Sequence, residues 1–328
     1  MMPGSHRRGT CTCACRSQKH VQGSILAAFS VILSVDSDCL SSTDCGGKLF
    51  LAILGVSKMK LGVLGTLTIN DVEVAEILTA PKPRSVLAML MLEPGRAVST
   101  ASLIQELWDE RPPRSASTTL QTYVLQLRRM FRDISPTVGQ PPSDALVTRV
   151  PGYLLQADHT EHDLSAYEAL VEQGQKVLEQ GDSERAEELL SRALELWRGA
   201  PLSDVRPGPL LYPQICGLEE SRLAATEMRI EANLRLGRHR EVQSELTVLI
   251  GSYPLHEGIR VKHMLALFRA GRLSAALDSF HQYRHRLVTD LGLEPSPRIR
   301  GLQQAMLCFD PMADSLAILD RVASGVSR

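Results

Sequence analysis

The residues with most to offer a binding partner lie between Pro113 and Arg132, in the run PRSASTTLQTYVLQLRRMFR. A helix advances about 100° per residue, so its faces can be sorted by spacing alone. Leu120, Tyr123, Val124, Leu127 and Phe131 share one side, at the spacing of a face packed on a small core. The opposite side carries Thr118, Thr122, Leu125, Gln126 and Arg129, flanked by Gln121 and Arg128. It offers hydroxyls, amides and guanidinium groups and no carboxylate. Such groups match the acceptors of base edges and phosphates, which would repel a carboxylate. Amphipathicity alone is also the pattern of a solvated helix, so the neighbours of this stretch decide its meaning.

Those neighbours form an ordered set. From Met59, KLGVLGTLTIN alternates apolar residues at Leu61, Val63, Leu67 and Ile69 around Gly65, which predicts a strand pair or sheet edge. Pro81 and Pro83 precede a helix with Val86, Leu87, Leu90 and Met91 on one face, ended by Pro94-Gly95. Ser99 suits the N-cap of a second helix, with Leu103, Ile104, Leu107 and Trp108 as its core stripe. Pro112-Pro113 closes that connection and opens the third helix. A polar loop, Ser135 to Asp144, leads to LVTRVPGYLLQ, where Pro151-Gly152 marks a hairpin turn. Strands, three helices and a closing hairpin make a winged helix-turn-helix, with the hairpin as wing.

Composition supports a division of the chain. Its 328 residues are enough for two or three domains. Residues 81–155 carry 9 Lys and Arg against 6 Asp and Glu, and residues 156–309 carry 18 against 22, so a modestly basic module precedes an acidic one within a chain of net charge −1. Apolar residues reach 44% but aromatics only 4%, which suits helical cores. Five of the seven cysteines lie in the first 45 residues, and Cys11, Cys13 and Cys15 lack the spacing of a structural zinc site. No metal or cofactor is expected, and the rest of the chain reads as a reduced, cytoplasmic protein without a membrane span.

Residues 1–58 fit neither module. The apolar run Ile25 to Val35 behind Arg7, Arg8, Arg16 and Lys19 imitates a signal peptide. Eleven residues are too few to span a bilayer, and Ser30 and Ser34 dilute them. Translation is therefore expected to begin at Met59, with 1–58 a mis-assigned or disordered extension. The remaining divisions are a winged helix over 59–156, a helical domain over 157–309 and a tail over 310–328.

The helical domain carries a repeat. Leu164, Tyr167, Leu170, Val171, Val177 and Leu178 form one stripe, and Ala186, Leu189, Leu190, Ala193, Leu194 and Trp197 the next, separated by Gly181-Asp182. A Pro-rich connection, Pro201 to Pro213, is long enough for a functional loop. Gly237 and Gly271 stand 34 residues apart at helix-to-helix turns, the period of tetratricopeptide repeats. Stacked helical hairpins leave a groove of the kind that binds proteins, although a purely structural bundle has the same pattern. The fold expected is mostly α, with an N-terminal α+β winged helix-turn-helix followed by an all-α tetratricopeptide-like domain.

The blocks RSVLAMLML, LIQELWDERPP, LQTYVLQLRR and RVPGYLL resemble, in that order, the OmpR/PhoB-type DNA-binding domain of the Streptomyces antibiotic regulatory protein family. The run YPLHEGIRVKHMLALFRAGRLSAALDSFHQYRHRLVTDLGLEPSPRIRGL resembles the same family's bacterial transcriptional activation domain, so the likeness covers about residues 60 to 307. The resemblance implies a cytoplasmic, nucleoid-associated activator of secondary-metabolite genes. It would bind direct repeats in double-stranded DNA as a homodimer and recruit RNA polymerase holoenzyme through contacts that include its sigma factor. Carried onto this chain, it places Thr122, Gln126, Arg128 and Arg129 on DNA and Arg149 on the wing. With the helix geometry, Thr118, Gln121 and Leu125 complete the candidate DNA-binding set. Family members often have Ser-Arg where this chain has Leu125-Gln126, a pair that favours adenine and thymine methyl contacts instead.

Two other classes compete. An enzyme would need a catalytic constellation, and no H-E-x-x-H, G-x-S-x-G or G-x-x-x-x-G-K-[ST] is present, so neither catalysis nor the ATP switch of larger relatives is expected. His281 and His285, at i, i+4 spacing, could pair on a metal but lie in a solvated stripe beside Arg284 and Arg286. A protein-interaction scaffold whose winged helix has lost DNA binding is the second rival, sustained by Leu125-Gln126 and the low positive charge. Steep salt dependence of DNA binding separates it from a regulator.

Overall fold

The computed structural model describes residues 59–134, 145–156 and 160–308. The expectations for residues 1–58, for the loop from Ser135 to Asp144, for residues 157–159 and for the tail lie outside these residues. Strand β1 (Met59–Gly62) pairs antiparallel with β2 (Thr68–Ile69), which pairs with β3 (Val72–Glu73). Asn70 and Asp71 turn this hairpin with φ of 52° and 64°, the left-handed conformation that a two-residue turn of matching twist requires. After a single turn, α1 (Val74–Ile77), comes α2 (Pro81–Leu92), whose Val86 to Met91 are all buried. This helix is the centre of the module rather than one of its walls.

The three strands β4 (Ala97–Ser99), β5 (Leu146–Arg149) and β6 (Gly152–Leu155) form a second antiparallel sheet with β6 in the middle. Strand β4 was not expected from sequence, since three residues give too little alternation to read. It leads into α3 (Thr100–Trp108), where Ser99 Oγ accepts the Ser102 N–H at 2.9 Å as the expected N-cap. The third helix, α4, runs Ala116–Ile134 and starts three residues later than the Pro113 expected. Only Leu103 of the expected α3 stripe is fully buried, and Ile104, Leu107 and Trp108 are half-buried.

The second part is not helical throughout. Thr160–His162 form β7, parallel to β1 in the register Met59–Thr160, Lys60–Glu161 and Leu61–His162. The chain therefore returns to the first sheet before the helices begin. Helices α5 (Asp163–Glu179), α6 (Ser183–Glu195), α7 (Leu211–Arg235), α8 (Gln243–Ser252), α9 (Glu257–Arg269), α10 (Leu273–Leu291) and α11 (Pro297–Leu307) follow. Gly237 and Gly271 sit at helix ends with φ of 77° and 74°. At each, the N–H of the glycine and of the next residue return to carbonyls of the last turn, Leu234 and Asn233 in one case, Phe268 and Leu267 in the other. Any side chain at these φ values is strained, which explains glycine at the 34-residue spacing.

One hydrophobic core runs across the expected domain boundary. It holds Leu61, Leu87, Leu120 and Leu127 of the winged helix together with Tyr167, Trp197, Leu202, Val205 and Leu211 of the helical part. Tyr167 and Trp197 meet edge to face, with ring centroids 5.3 Å apart. A separate core, built on Met264, Leu265, Phe280, Ile299 and Met306, holds α9, α10 and α11. Among the described residues no helix is long and apolar enough to cross a membrane.

Candidate nucleic-acid interface

Helix α4 buries Ala116, Leu120, Val124, Leu127, Met130 and Phe131. Tyr123, half-buried, stacks on Trp108 of α3 at 6.5 Å and 14°, and the Lys82 ammonium lies 4.5 Å from the Trp108 ring centroid. Lys82, Trp108 and Tyr123 therefore brace α2, α3 and α4 against each other. Rotation of α4 about its own axis is fixed from both sides, and with it the face that points outward.

That face carries Thr118, Gln121, Thr122, Leu125, Gln126 and Arg129, all exposed. Leu125, an apolar group, is 45% exposed. The Thr122 hydroxyl donates to the carbonyl of Thr118 at 3.1 Å, so it is left chiefly as an acceptor for an outside donor. Gln126, Arg129 and the exposed Asp133 border a shallow hollow with Ile77, Thr79 and Ala80 in front of α2. Six of the eight candidate residues are thereby brought onto one surface.

Arg128 stands apart from them. It is half-buried, with Nε donating to the Leu146 carbonyl at 3.0 Å and a terminal nitrogen donating to Thr148 Oγ1 at 2.8 Å. Its guanidinium ties α4 to the wing. One residue, or 100° of helix, separates this strut from the outward Arg129.

Arg149 is exposed near the tip of the wing, next to Val150, which is 93% exposed. The wing is anchored at its turn, where the Thr100 N–H and hydroxyl both donate to the Pro151 carbonyl, at 3.2 and 3.1 Å. Gly152 lets the strands close: a Cβ there would lie 1.9 Å from the Val98 carbonyl oxygen. Further basic groups, Arg111 and Arg114, lie exposed in the loop before α4. Sequence reasoning passed over them, although a cation two residues before a recognition-type helix is itself a signal.

The joint behind this face is built from carboxylates that reach across the two parts. Glu106 of α3, only 5% exposed, accepts the N–H groups of Gly208, Leu210 and Leu211, the last two at 2.8 and 3.0 Å. Asp163 accepts the N–H groups of Val63 and Leu64 at 2.9 and 3.0 Å and pairs with Arg198 at 3.0 Å. Asp204 accepts the Leu67 N–H at 2.8 Å and faces Arg84 at 3.5 Å, while the Ser85 hydroxyl donates to the Arg206 carbonyl at 3.0 Å. The Pro-rich connection is thus a strap laid over the winged helix. It fixes where the first helical hairpin stands relative to the outer face of α4.

Comparisons with known proteins agree with this two-part build. Residues 75–155 match the family described as transcriptional regulatory protein, C terminal, and residues 162–307 match the bacterial transcriptional activator domain. The chain is 42% identical over 257 residues to regulatory protein DnrI of Streptomyces peucetius, covering 78% of this chain and 94% of that protein. It is 37% identical over 239 residues to regulatory protein AfsR of Streptomyces coelicolor, covering 73% of this chain but only 23% of AfsR. Among solved structures, Mycobacterium tuberculosis EmbR in complex with a low affinity phosphopeptide superposes with a TM-score of 0.71 at 31% identity, over 81% of this chain and 70% of that one.

Proposed function

The chain belongs to the Streptomyces antibiotic regulatory protein family of transcriptional regulators, and from that premise we propose that it activates secondary-metabolite biosynthesis genes by binding direct repeats in their promoters. The observation that carries this reading is the outer face of α4. There Thr118, Gln121, Thr122, Leu125, Gln126 and Arg129 are exposed together on a helix held by packing, and the one carboxylate of the helix, Asp133, lies at its far end beyond Arg129.

In this reading α4 enters the major groove. Arg129, Arg149 and the exposed Arg114 contact phosphates and set the register, whereas Gln121, Leu125 and Gln126 meet base edges. Gln126 offers the paired donor and acceptor that match adenine, and Leu125 a surface for a thymine methyl group. Thr118 and Thr122 accept from exocyclic amines or bridge through water. Arg128 acts indirectly by holding the wing at its distance from α4. Two copies bind successive repeats on one side of the duplex, and the strap presents their helical domains to RNA polymerase holoenzyme and its sigma factor. Such work places the protein in the cytoplasm, on the nucleoid.

The test is a titration of the full chain against fragments of its own genome at two salt concentrations. The expected result is tight binding to a few fragments, weakened steeply by salt because each neutralised phosphate releases counterions. Weak binding that is equal on all fragments and insensitive to salt would favour a protein-interaction scaffold.

A further inference from the structure

Between α8, α9 and α10 lies a cavity of about 320 Å³, far from the outer face of α4 in sequence and lined by polar side chains that the DNA-binding reading does not use. Its wall includes Gln243, His263, Arg272, Asp278, Ser279 and Gln282. Behind that wall is Arg260, 3% exposed, with no carboxylate within ion-pairing distance among the described residues. Its terminal nitrogen donates to Ser279 Oγ at 3.2 Å, and its Nε has no hydrogen-bond partner among the described residues. The same terminal nitrogen donates to the Ser279 carbonyl at 3.4 Å, the Tyr283 ring lies 5.7 Å away, and the charge of Arg286 opposes it. A buried guanidinium normally has a counter-ion, because desolvating an unpaired charge is costly.

Ser279, which lines the cavity, stands one hydrogen bond from this buried charge. Ser279 Oγ accepts from Arg260 and lies 3.0 Å from His263 Nδ1. Burial and the charges of Arg260 and Arg272 push His263 down to about 4, so the ring is neutral near pH 7. With Ser279 Oγ accepting from Arg260, its hydroxyl proton is free to point at Nδ1, and in that tautomer Nε2–H is a donor on a side chain that lines the cavity. Arg272, exposed at the rim, donates to the Gln243 side-chain oxygen at 3.2 Å and has no carboxylate partner among the described residues. Asp278, the one acid on the wall among the described residues, lies among these donors. It disfavours a dianion and offers an acceptor to a ligand hydroxyl or ammonium group.

We propose that this cavity binds a small carboxylic acid that also carries a hydrogen-bond donor, of the hydroxy- or amino-acid class. Its carboxylate takes donors from Arg272 and His263 on a wall that the buried Arg260 makes electropositive from behind Ser279, and its hydroxyl or ammonium group meets Asp278. The volume is at the lower end for a small-molecule site and suits a ligand of this size. The inference stands on the cavity and its charges and is independent of DNA binding.

Calorimetric titration of the full chain with L-serine, L-lactate and inorganic phosphate tests it. The expected result is saturable binding of at least one of the two organic acids, weakened at least tenfold in Arg272→Gln, as loss of a charge-assisted contact implies. His263→Leu, which removes the Nε2–H donor, is expected to weaken binding in the same direction. Arg272 is exposed, so its variant is expected to keep the wild-type melting curve, and the wild-type titration decides without it. Failure of both acids to saturate at millimolar concentration would overturn the proposal. Phosphate binding as tightly as the acids, or an Arg272→Gln protein of unchanged affinity, would also overturn it.

Discussion

At the joint between the winged helix and the first helical hairpin, Glu106, Asp163 and Asp204 each accept backbone N–H groups from the opposite side. On the outer face of α4, the side chains of Gln121, Gln126 and Arg129 make no hydrogen bond to any described residue and stand in solvent. Both regions are polar, and their difference lies in what completes the bonding. Polar groups at the joint are satisfied internally and hold the parts in place. Those on α4 stand on a helix held by the packing beneath it and are open to solvent. Arg128 and Arg129 show the distinction within two consecutive residues, the first spent on the wing and the second left open.

The sharpest way to break this contrast uses two leucines of one helix. Leu127 is fully buried and Leu125 is 45% exposed. Leu127→Ala is expected to cost about 2–5 kcal/mol in chemical denaturation, through lost burial and the cavity left behind. Leu125→Ala is expected to stay within about 0.5 kcal/mol of wild type while changing DNA preference. Comparable stability losses for the two would mean that the outer face is packed and not open.

Glu106→Ala comes next. Three backbone donors lose a charged acceptor in a buried site, so a loss of about 2–3 kcal/mol is expected on urea unfolding. A variant as stable as wild type would show that water replaces the carboxylate and that the strap is loosely held.

Effects on DNA binding follow. Arg129→Ala is expected to weaken binding by roughly tenfold on specific and random DNA alike, and to flatten the salt dependence by about one phosphate contact. Gln126→Ala is expected to relax preference at one or two base positions with little change on random DNA. Equal losses on both kinds of DNA for both variants would remove the division between positioning and reading.

The smallest effect is in pH dependence. Folding lowers His263 from its ordinary 6.5 to about 4, so between these values the unfolded chain binds a proton that the folded chain does not. Its contribution to stability is complete above pH 6.5 and is lost as pH falls through that window. With the ring partly exposed, this amounts to on the order of 1 kcal/mol. Melting curves of His263→Leu are expected to be flatter over that range, and an unchanged slope would place the charge effect on other groups.

Much of the fold is legible in sequence where a period repeats. The stripe Leu120, Val124, Leu127 and Phe131 spans three turns, and Gly237 and Gly271 carry the left-handed ends of their helices. The outward set on α4 follows from the same geometry. Features built by single residues meeting distant partners are not legible. Glu106 looks like one more solvated acid on α3, yet its partners lie more than a hundred residues away. Strand β7 is three residues, Thr-Glu-His, whose strand character comes from pairing with β1 and not from its own pattern. Adjacent arginines are alike in sequence, and only the position of the wing assigns Arg128 to it.

The most direct measurement is genome-wide footprinting of the full chain and of Gln126→Ala on DNA from its own organism, at low and physiological salt. The account predicts discrete, salt-sensitive sites with direct repeats upstream of biosynthetic genes, and the same sites with preference lost at one or two positions in the variant. A uniform smear, or no protection at either salt concentration, would contradict it.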